Sequence, residues 1–155
     1  MKFWQIMAGD GVVDLESIFK KLNVALIGPG DLGDYFDHRD AYMQRTEDRD
    51  HQLVRVFCED VAVGDAMILI RAVNPRGSEW AIEAVGTVAG AYRYEPIFES
   101  ADVSRWDMQH CRRVKWVIPP EPIRVVGGGF PIRIQRCSDD NPLVAKAREF
   151  LAGRQ

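Results

Sequence analysis

The apolar positions of this chain change their period several times, and each change marks an element. Phe3 to Ala8 is rich in large apolar residues in weak alternation and predicts a first strand, buried on at least one face. Gly9-Asp10-Gly11 then turns the chain. Asp14 suits the N-cap of a helix on which Leu15, Ile18, Phe19 and Leu22 share one face. Val24 to Ile27 predicts a second short strand, and Gly28-Pro29-Gly30-Asp31-Leu32-Gly33-Asp34 must be a loop. Residues 34–50 are highly charged and predict a mobile loop with some helix. Gln52 to Glu59 reads as a short helix with Leu53, Val56 and Phe57 inward. Ala66 to Val73 is a strong strand, Asn74 to Ser78 a hairpin-type turn, and Trp80 to Ala89 the return strand. A later strand carries His110, Arg112, Arg113 and Lys115, with its apolar part at Val114 to Ile118. A last apolar segment lies around Phe130 to Ile134. Asn141-Pro142 opens a final helix with Leu143, Val144, Ala147, Phe150 and Leu151 on one face, and Gly153 stops it. Five to six strands with about three helices predict one α+β domain over residues 1–155, a mixed β-barrel flanked by helices.

Composition narrows the class. The chain has 155 residues, 46% hydrophobic and 28% charged, enough for one core and ordinary for a soluble globular protein. Its net charge is −3, so any contact with nucleic acid is expected through a local basic patch, because proteins that coat nucleic acid non-specifically are usually basic overall. Cys58, Cys111 and Cys137 are odd in number and widely separated, and His38, His51 and His110 show no ligand spacing. No zinc site and no cofactor are expected, and a reducing, cytoplasmic compartment fits. No apolar run approaches about 18 residues, so no membrane partner is expected.

The segment Gly86 to Val117 carries the candidate chemistry. A Gly-punctuated strand runs into Tyr92 and Tyr94, a loop bears Trp106, and the strand with His110, Arg112, Arg113 and Lys115 follows. Aromatic planes beside a local basic run suit a ligand with flat rings and phosphates. Gly28-Pro29-Gly30-Asp31 lacks the Lys-Ser/Thr of a P-loop and is either a tight turn or a loop whose backbone lies close to a ligand. Trp4 and Trp116 sit in apolar strands and are expected in the core. Trp80 opens a strand and belongs to core or rim. Trp106, in a polar loop, either packs on the body or lines a pocket. His110 and Cys111 are neighbours on a strand, so their side chains point to opposite faces and form no dyad. No catalytic residues are expected.

These elements, in this order, resemble an EVE domain of the PUA-like superfamily, which is related to YTH and ASCH domains. The resemblance rests on Phe3-Trp4-Gln5-Ile6, Gly28-Pro29-Gly30-Asp31, Val63-Gly64-Asp65-Ala66, Gly86-Thr87-Val88 with Tyr92-Arg93-Tyr94, and Arg112-Arg113-Val114-Lys115-Trp116. It implies a PUA-like barrel and a module that flips a modified base out of DNA into an aromatic or apolar cage, as in modification-dependent restriction systems. The implied pocket comprises Gly9, Asp10, Leu26, Ile27, Gly28, Asp31, Tyr35 and Trp106. The aromatic usual at the second strand of YTH domains is replaced by Leu26 and Ile27, and Tyr35 is the candidate substitute. The expected contacts to the nucleic-acid backbone are Arg76, His110, Arg112, Arg113 and Arg133. The implied partner is DNA with a modified base, together with a nuclease domain or subunit that would perform any cleavage. An RNA-binding module acting on tRNA or other RNA is the alternative, and an ASCH-like nucleoside enzyme a second one.

Overall fold

Two patches of buried apolar side chains, one on each face of a single curled sheet, organise the fold. The computed structural model describes residues 1–9, 15–45, 47–74, 76–100 and 106–154, without the side chains of Ser100 and Trp106. The expected cap at Asp14 lies outside the described residues. The strands are β1 (Phe3–Ile6), β2 (Val24–Ile27), β3 (Ala66–Ala72), β4 (Glu79–Val88), β5 (Arg93–Tyr94), β6 (Glu99–Ser100), β7 (Trp106–Asp107), β8 (His110–Val117), β9 (Ile123–Val126) and β10 (Ile134–Cys137). The helices are α1 (Glu16–Leu22), α2 (Arg39–Gln44), α3 (Arg49–Arg55) and α4 (Pro142–Ala152), and a π-helical turn at Val56–Asp60 continues α3.

Among the described residues, eight strands form one curled sheet in the order β10-β1-β3-β4-β8-β2, with β5 added to β8 and β9 to β4. β6 and β7 pair separately. Among the described residues only β1 and β3 run parallel, Phe3 opposite Ala66 and Ile6 opposite Leu69. The architecture is therefore mixed α+β with a barrel-like sheet, and it holds more strands and helices than the hydrophobic pattern predicts. β9 and β10 escape that pattern because each has four residues and partly exposed side chains at the sheet's margin. The expected apolar segment at Phe130 is not a strand, and Phe130 is exposed. α2 lies inside the charged stretch 34–50, where some helix was expected and the apolar signal is too thin to set its bounds.

Strand alternation feeds the two cores. In β3, Met67 and Leu69 join Trp4, Ile6, Phe19, Leu26, Phe57 and Val114 on one face. Ile68 and Ile70 join Phe3, Trp80, Ile82 and Val85 on the other, under Leu143, Val144 and Ala147 of α4. A strand covered on both faces reads as a continuous apolar run, which is why this hairpin is so legible. Each fully buried aliphatic side chain contributes roughly 1.5–3 kcal/mol. α4 begins as expected: the Asn141 side chain accepts from the Leu143 amide at 2.8 Å, and Pro142 occupies the first turn.

α1 ends at Asn23, whose left-handed φ of 54° turns the chain directly into β2. Asn tolerates that conformation better than other non-glycine residues. Its carbonyl accepts from the Val114 amide at 2.9 Å, which ties the helix end to β8.

Candidate functional site

β8 pairs with β2 through Val24 opposite Arg113 and Ile27 opposite His110, and with β4 through Gly86 opposite Trp116. Its alternation splits the basic run. Arg112 points into the protein and is 5% exposed, while Arg113 and Lys115 face solvent. Arg112 Nε donates to the Phe57 carbonyl at 3.0 Å and a terminal nitrogen donates to that of Cys58 at 2.9 Å. These carbonyls belong to the π-helical turn. Arg112 thus supplies donors where a wider helical turn meets the sheet. Burial lowers its pKa and raises that of the neighbouring Cys58 thiol.

His110 is fully buried in a ring of tyrosines. Donor accounting fixes its tautomer. The Tyr35 amide donates to the Tyr92 hydroxyl at 3.0 Å, so the Tyr92 proton goes to His110 Nδ1, 2.6 Å away. Nε2 then carries the imidazole proton and donates it to the Pro29 carbonyl at 2.9 Å. The Tyr42 hydroxyl, 3.1 Å from Nε2, donates its own proton to the Gly33 carbonyl at 2.6 Å. Tyr94 donates to the Gly30 carbonyl at 2.9 Å. Each of these groups finds a partner with a neutral ring protonated on Nε2. Burial pushes the His110 pKa down to about 4, against weaker upward pulls from the Pro29 carbonyl and from Asp107, Asp34 and Asp31. The network pins the loop of residues 28–35 onto β8.

The loop packs closely as well. A Cβ on Gly28 would lie 1.6 Å from the Asp107 carbonyl oxygen, and one on Gly30 would lie 2.2 Å from Gln109 Oε1. That oxygen is buried without a hydrogen-bond partner among the described residues. At the loop's outer end Asp31 accepts from Arg45 at 3.3 Å and pairs with His51 at 3.2 Å.

Two grooves border β8 and the end of α1. One, of about 360 Å³, is lined by Glu16, Ser17, Lys20, Lys21 and Ile118. Its Lys20 is already neutralised by Glu16, with Glu83 at 3.9 Å. The other, of about 460 Å³, is lined by Asn23, Ala89, Arg113, Val114, Lys115 and Trp116. Among the described residues, Arg113 and Lys115 have no carboxylate partner. Other surface cations do have one, as in Arg39–Glu59 at 2.7 Å, Arg71–Glu83 at 2.8 Å and Arg148–Asp139 at 2.9 Å.

Residues 4–128 match the family model described as a domain of unknown function, DUF8426. The chain belongs to DUF8426. A search of curated proteins gave no match. Among solved structures, this DUF8426 chain is similar to protein PSPTO5229 from Pseudomonas syringae, at 13% identity over 99% of each chain and a TM-score of 0.48.

Within the DUF8426 fold, the expected pocket and backbone residues separate. Leu26, Ile27 and Tyr35 are at most 1% exposed and belong to the core. Tyr35 gives its hydroxyl proton to Glu59 at 2.7 Å, and burial together with that carboxylate pushes its pKa up to about 12. Gly28 packs on Asp107, Asp31 faces Arg45 and His51, and Gly9 is half-buried. Asp10 and the Trp106 side chain lie outside the described residues. Of the backbone contacts, His110 and Arg112 are corrected to structural roles, since both are buried and spend their donors on main-chain carbonyls. Arg133 donates to the Gly28 carbonyl at 3.0 Å. Arg76 is exposed, and Arg113 lines the groove. Tyr42, which is buried, and Glu59, which is partly exposed, complete the network and carry no sequence signal beyond their charged or polar surroundings. Among the described residues no group of His, Cys, Asp and Glu could hold a metal, and no helix is long and apolar enough to cross a membrane.

The structural role of Arg112 has a direct test. Arg112→Leu is expected to lower stability by about 1–3 kcal/mol, because two buried carbonyls lose their donors. A urea titration measures the loss. A variant as stable as wild type would show that water or a shifted turn replaces the guanidinium.

Proposed function

We propose that this chain is a non-catalytic nucleic-acid-binding module that meets the phosphate backbone through Arg113 and Lys115, and that its ligand is DNA carrying a modified base. The observation that carries this reading is a pair of exposed cations, side by side over a groove and without carboxylate partners among the described residues, in a protein of net charge −3. On a strand, residues two apart lie about 7 Å from one another on one face, a separation suited to successive phosphates. The modified base is supported by the resemblance to EVE domains. Any cleavage of bound DNA would fall to another domain or subunit. His110 is enclosed, so in this reading it serves the fold and not acid–base chemistry on a substrate.

Phosphate contacts position a duplex without reading it, and each adds to the salt dependence. Arg113→Gln with Lys115→Gln is expected to reduce the slope of log affinity against log salt by about 1.8 for duplex DNA. Fluorescence polarisation on duplexes with modified and plain cytosine or adenine, beside matched RNA, measures it. An unchanged slope sinks the groove as the nucleic-acid surface. Equal affinity for modified and plain duplexes removes the modified base from the proposal.

A further inference from the structure

We infer that Arg93 is a third phosphate contact in one row with Arg113 and Lys115, and that the Glu95 carboxylate holds it until a phosphate of the ligand takes its place. This rests on the nucleic-acid reading given above. Register places the row. β5 pairs antiparallel with β8, Arg93 opposite Cys111 and Tyr94 opposite His110. Residues directly opposite in such a pair share a face of the sheet, as do residues two apart on one strand. Tyr94 and His110 do meet, with ring centroids 5.7 Å apart, on the inner face. Arg93 and Cys111 therefore share the outer face with Arg113 and Lys115. All three cations are exposed. Lys115, Arg113 and the Cys111–Arg93 pair follow one another in steps of two residues, about 7 Å each, so the row keeps the spacing of successive phosphates. Gly90 lies along the stem of Arg113, where a Cβ would come within 3.2 Å of its Cβ, 3.5 Å of Cγ and 3.7 Å of Cδ. The stem thus runs beside the segment that leads to Arg93.

Glu95 sets the condition on the third position. Arg93 Nε lies 3.4 Å from Glu95 Oε1, and the Arg93 side chain is 67% exposed. A pair this open to water is weak and exchanges readily. The main chain of Glu95 is fixed, since its amide donates to the Gln109 carbonyl at 2.8 Å and its carbonyl accepts from the Phe98 amide at 3.1 Å. Neither bond involves the carboxylate, which can swing off Arg93 and leave the strand intact. Burial pushes the Cys111 thiol up to about 11, with Glu95 adding to the rise and Arg93 opposing it, so both charges sit near that thiol. Elsewhere on this face the residues opposite the cations are uncharged: Val24 faces Arg113 and Thr87 faces Lys115. The competing acid therefore stands at one end of the row. A phosphate chain that reaches Arg113 and Lys115 gains Arg93 only by displacing Glu95, and one too short to do so is left beside its charge.

The experiment titrates the full chain against a plain DNA duplex at several salt concentrations, with urea midpoints to verify that each variant is folded. Arg93→Gln is expected to weaken binding and to reduce the slope of log affinity against log salt by about 0.9, and Arg93→Lys, which keeps the charge, to retain the slope. Glu95→Gln is expected to tighten binding about two- to fivefold at low salt. Added to Arg93→Gln, the Glu95→Gln change is expected to give no further gain, because the carboxylate acts through the arginine. If Arg93→Gln keeps the wild-type slope, or Arg93→Lys loses it, Arg93 is not a phosphate contact. If Glu95→Gln has no effect, or tightens binding equally without Arg93, the carboxylate does not hold that arginine. Either result overturns the inference while the nucleic-acid reading stands. If wild type binds no duplex, or Arg113→Gln with Lys115→Gln leaves the slope unchanged, the nucleic-acid reading itself falls, and this inference with it.

Discussion

His110→Phe is expected to remove the share of the acid sensitivity of folding that His110 carries between about pH 6.5 and pH 4, at the cost of lower stability at neutral pH. The ordinary histidine pKa of 6.5 falls to about 4 in the folded protein because burial penalises the charged ring. In that window the unfolded chain binds a proton that the folded chain refuses. Stability therefore rises with pH through the window and is lost as pH falls, by up to about 1.4 kcal/mol per pH unit and on the order of 3 kcal/mol in all. Phenylalanine keeps the ring and removes both nitrogens. It leaves the Tyr92 hydroxyl proton and the Pro29 carbonyl without their partners, a loss of about 2–5 kcal/mol at pH 7. Glu16, whose pKa is raised chiefly by burial, gives a slope of opposite sign. Asp65 and Glu59, both lowered, act mainly below the window. All three remain in the variant, so the difference between the two proteins isolates His110. Urea unfolding at several pH values measures it. The same pH slope in both proteins would show that the ring is not held neutral by burial.

Gly28→Ala is expected to destabilise the fold by about 3 kcal/mol or more, at the upper end of what one added methyl does in a packed interior. The new Cβ would lie 1.6 Å from the Asp107 carbonyl oxygen and 2.7 Å from its carbon. Both are backbone atoms beside β8, so no side-chain rotation relieves the contact and the loop must move. That movement also strains the Arg133 bond to the Gly28 carbonyl and the His110 bond to Pro29. Gly30→Ala is the internal comparison. Its Cβ meets chiefly the end of the Gln109 side chain, with Gln109 Cβ at 3.0 Å, and no backbone atom as near, so a smaller loss is expected. Denaturant midpoints with unchanged m-values measure both. Equal losses at the two positions would show that the loop does not rest on the Asp107 backbone.

The comparison of these two positions shows where the sequence stops informing. That residues 28–34 form a loop was legible, because Gly-Pro-Gly permits no regular element. Which atoms the loop would touch was not, since Asp107 and Gln109 lie some eighty positions away in the chain. The same holds for β8. Strand period puts Arg112 and Arg113 on opposite faces, but it does not say which face is inside. That depends on β2, β4 and the π-helical turn, whose Phe57 and Cys58 carbonyls draw Arg112 inward.

By itself the sequence determined the β3–β4 hairpin, β2 and the capped start of α4. In these segments the evidence is local: apolar runs of strand length, turn residues between them, an Asn-Pro pair at a helix start. It also marked Tyr92, Tyr94 and His110 as neighbours of interest. The tertiary structure alone decided that the tyrosines close around a buried histidine, and that Arg113 and Lys115 face solvent with no carboxylate partner among the described residues. Burial and charge pairing are sums over elements distant in sequence. Periodicity can orient residues within one strand, but only the packing of the sheet against α1 and the loop of residues 28–35 fixes which of its faces meets water.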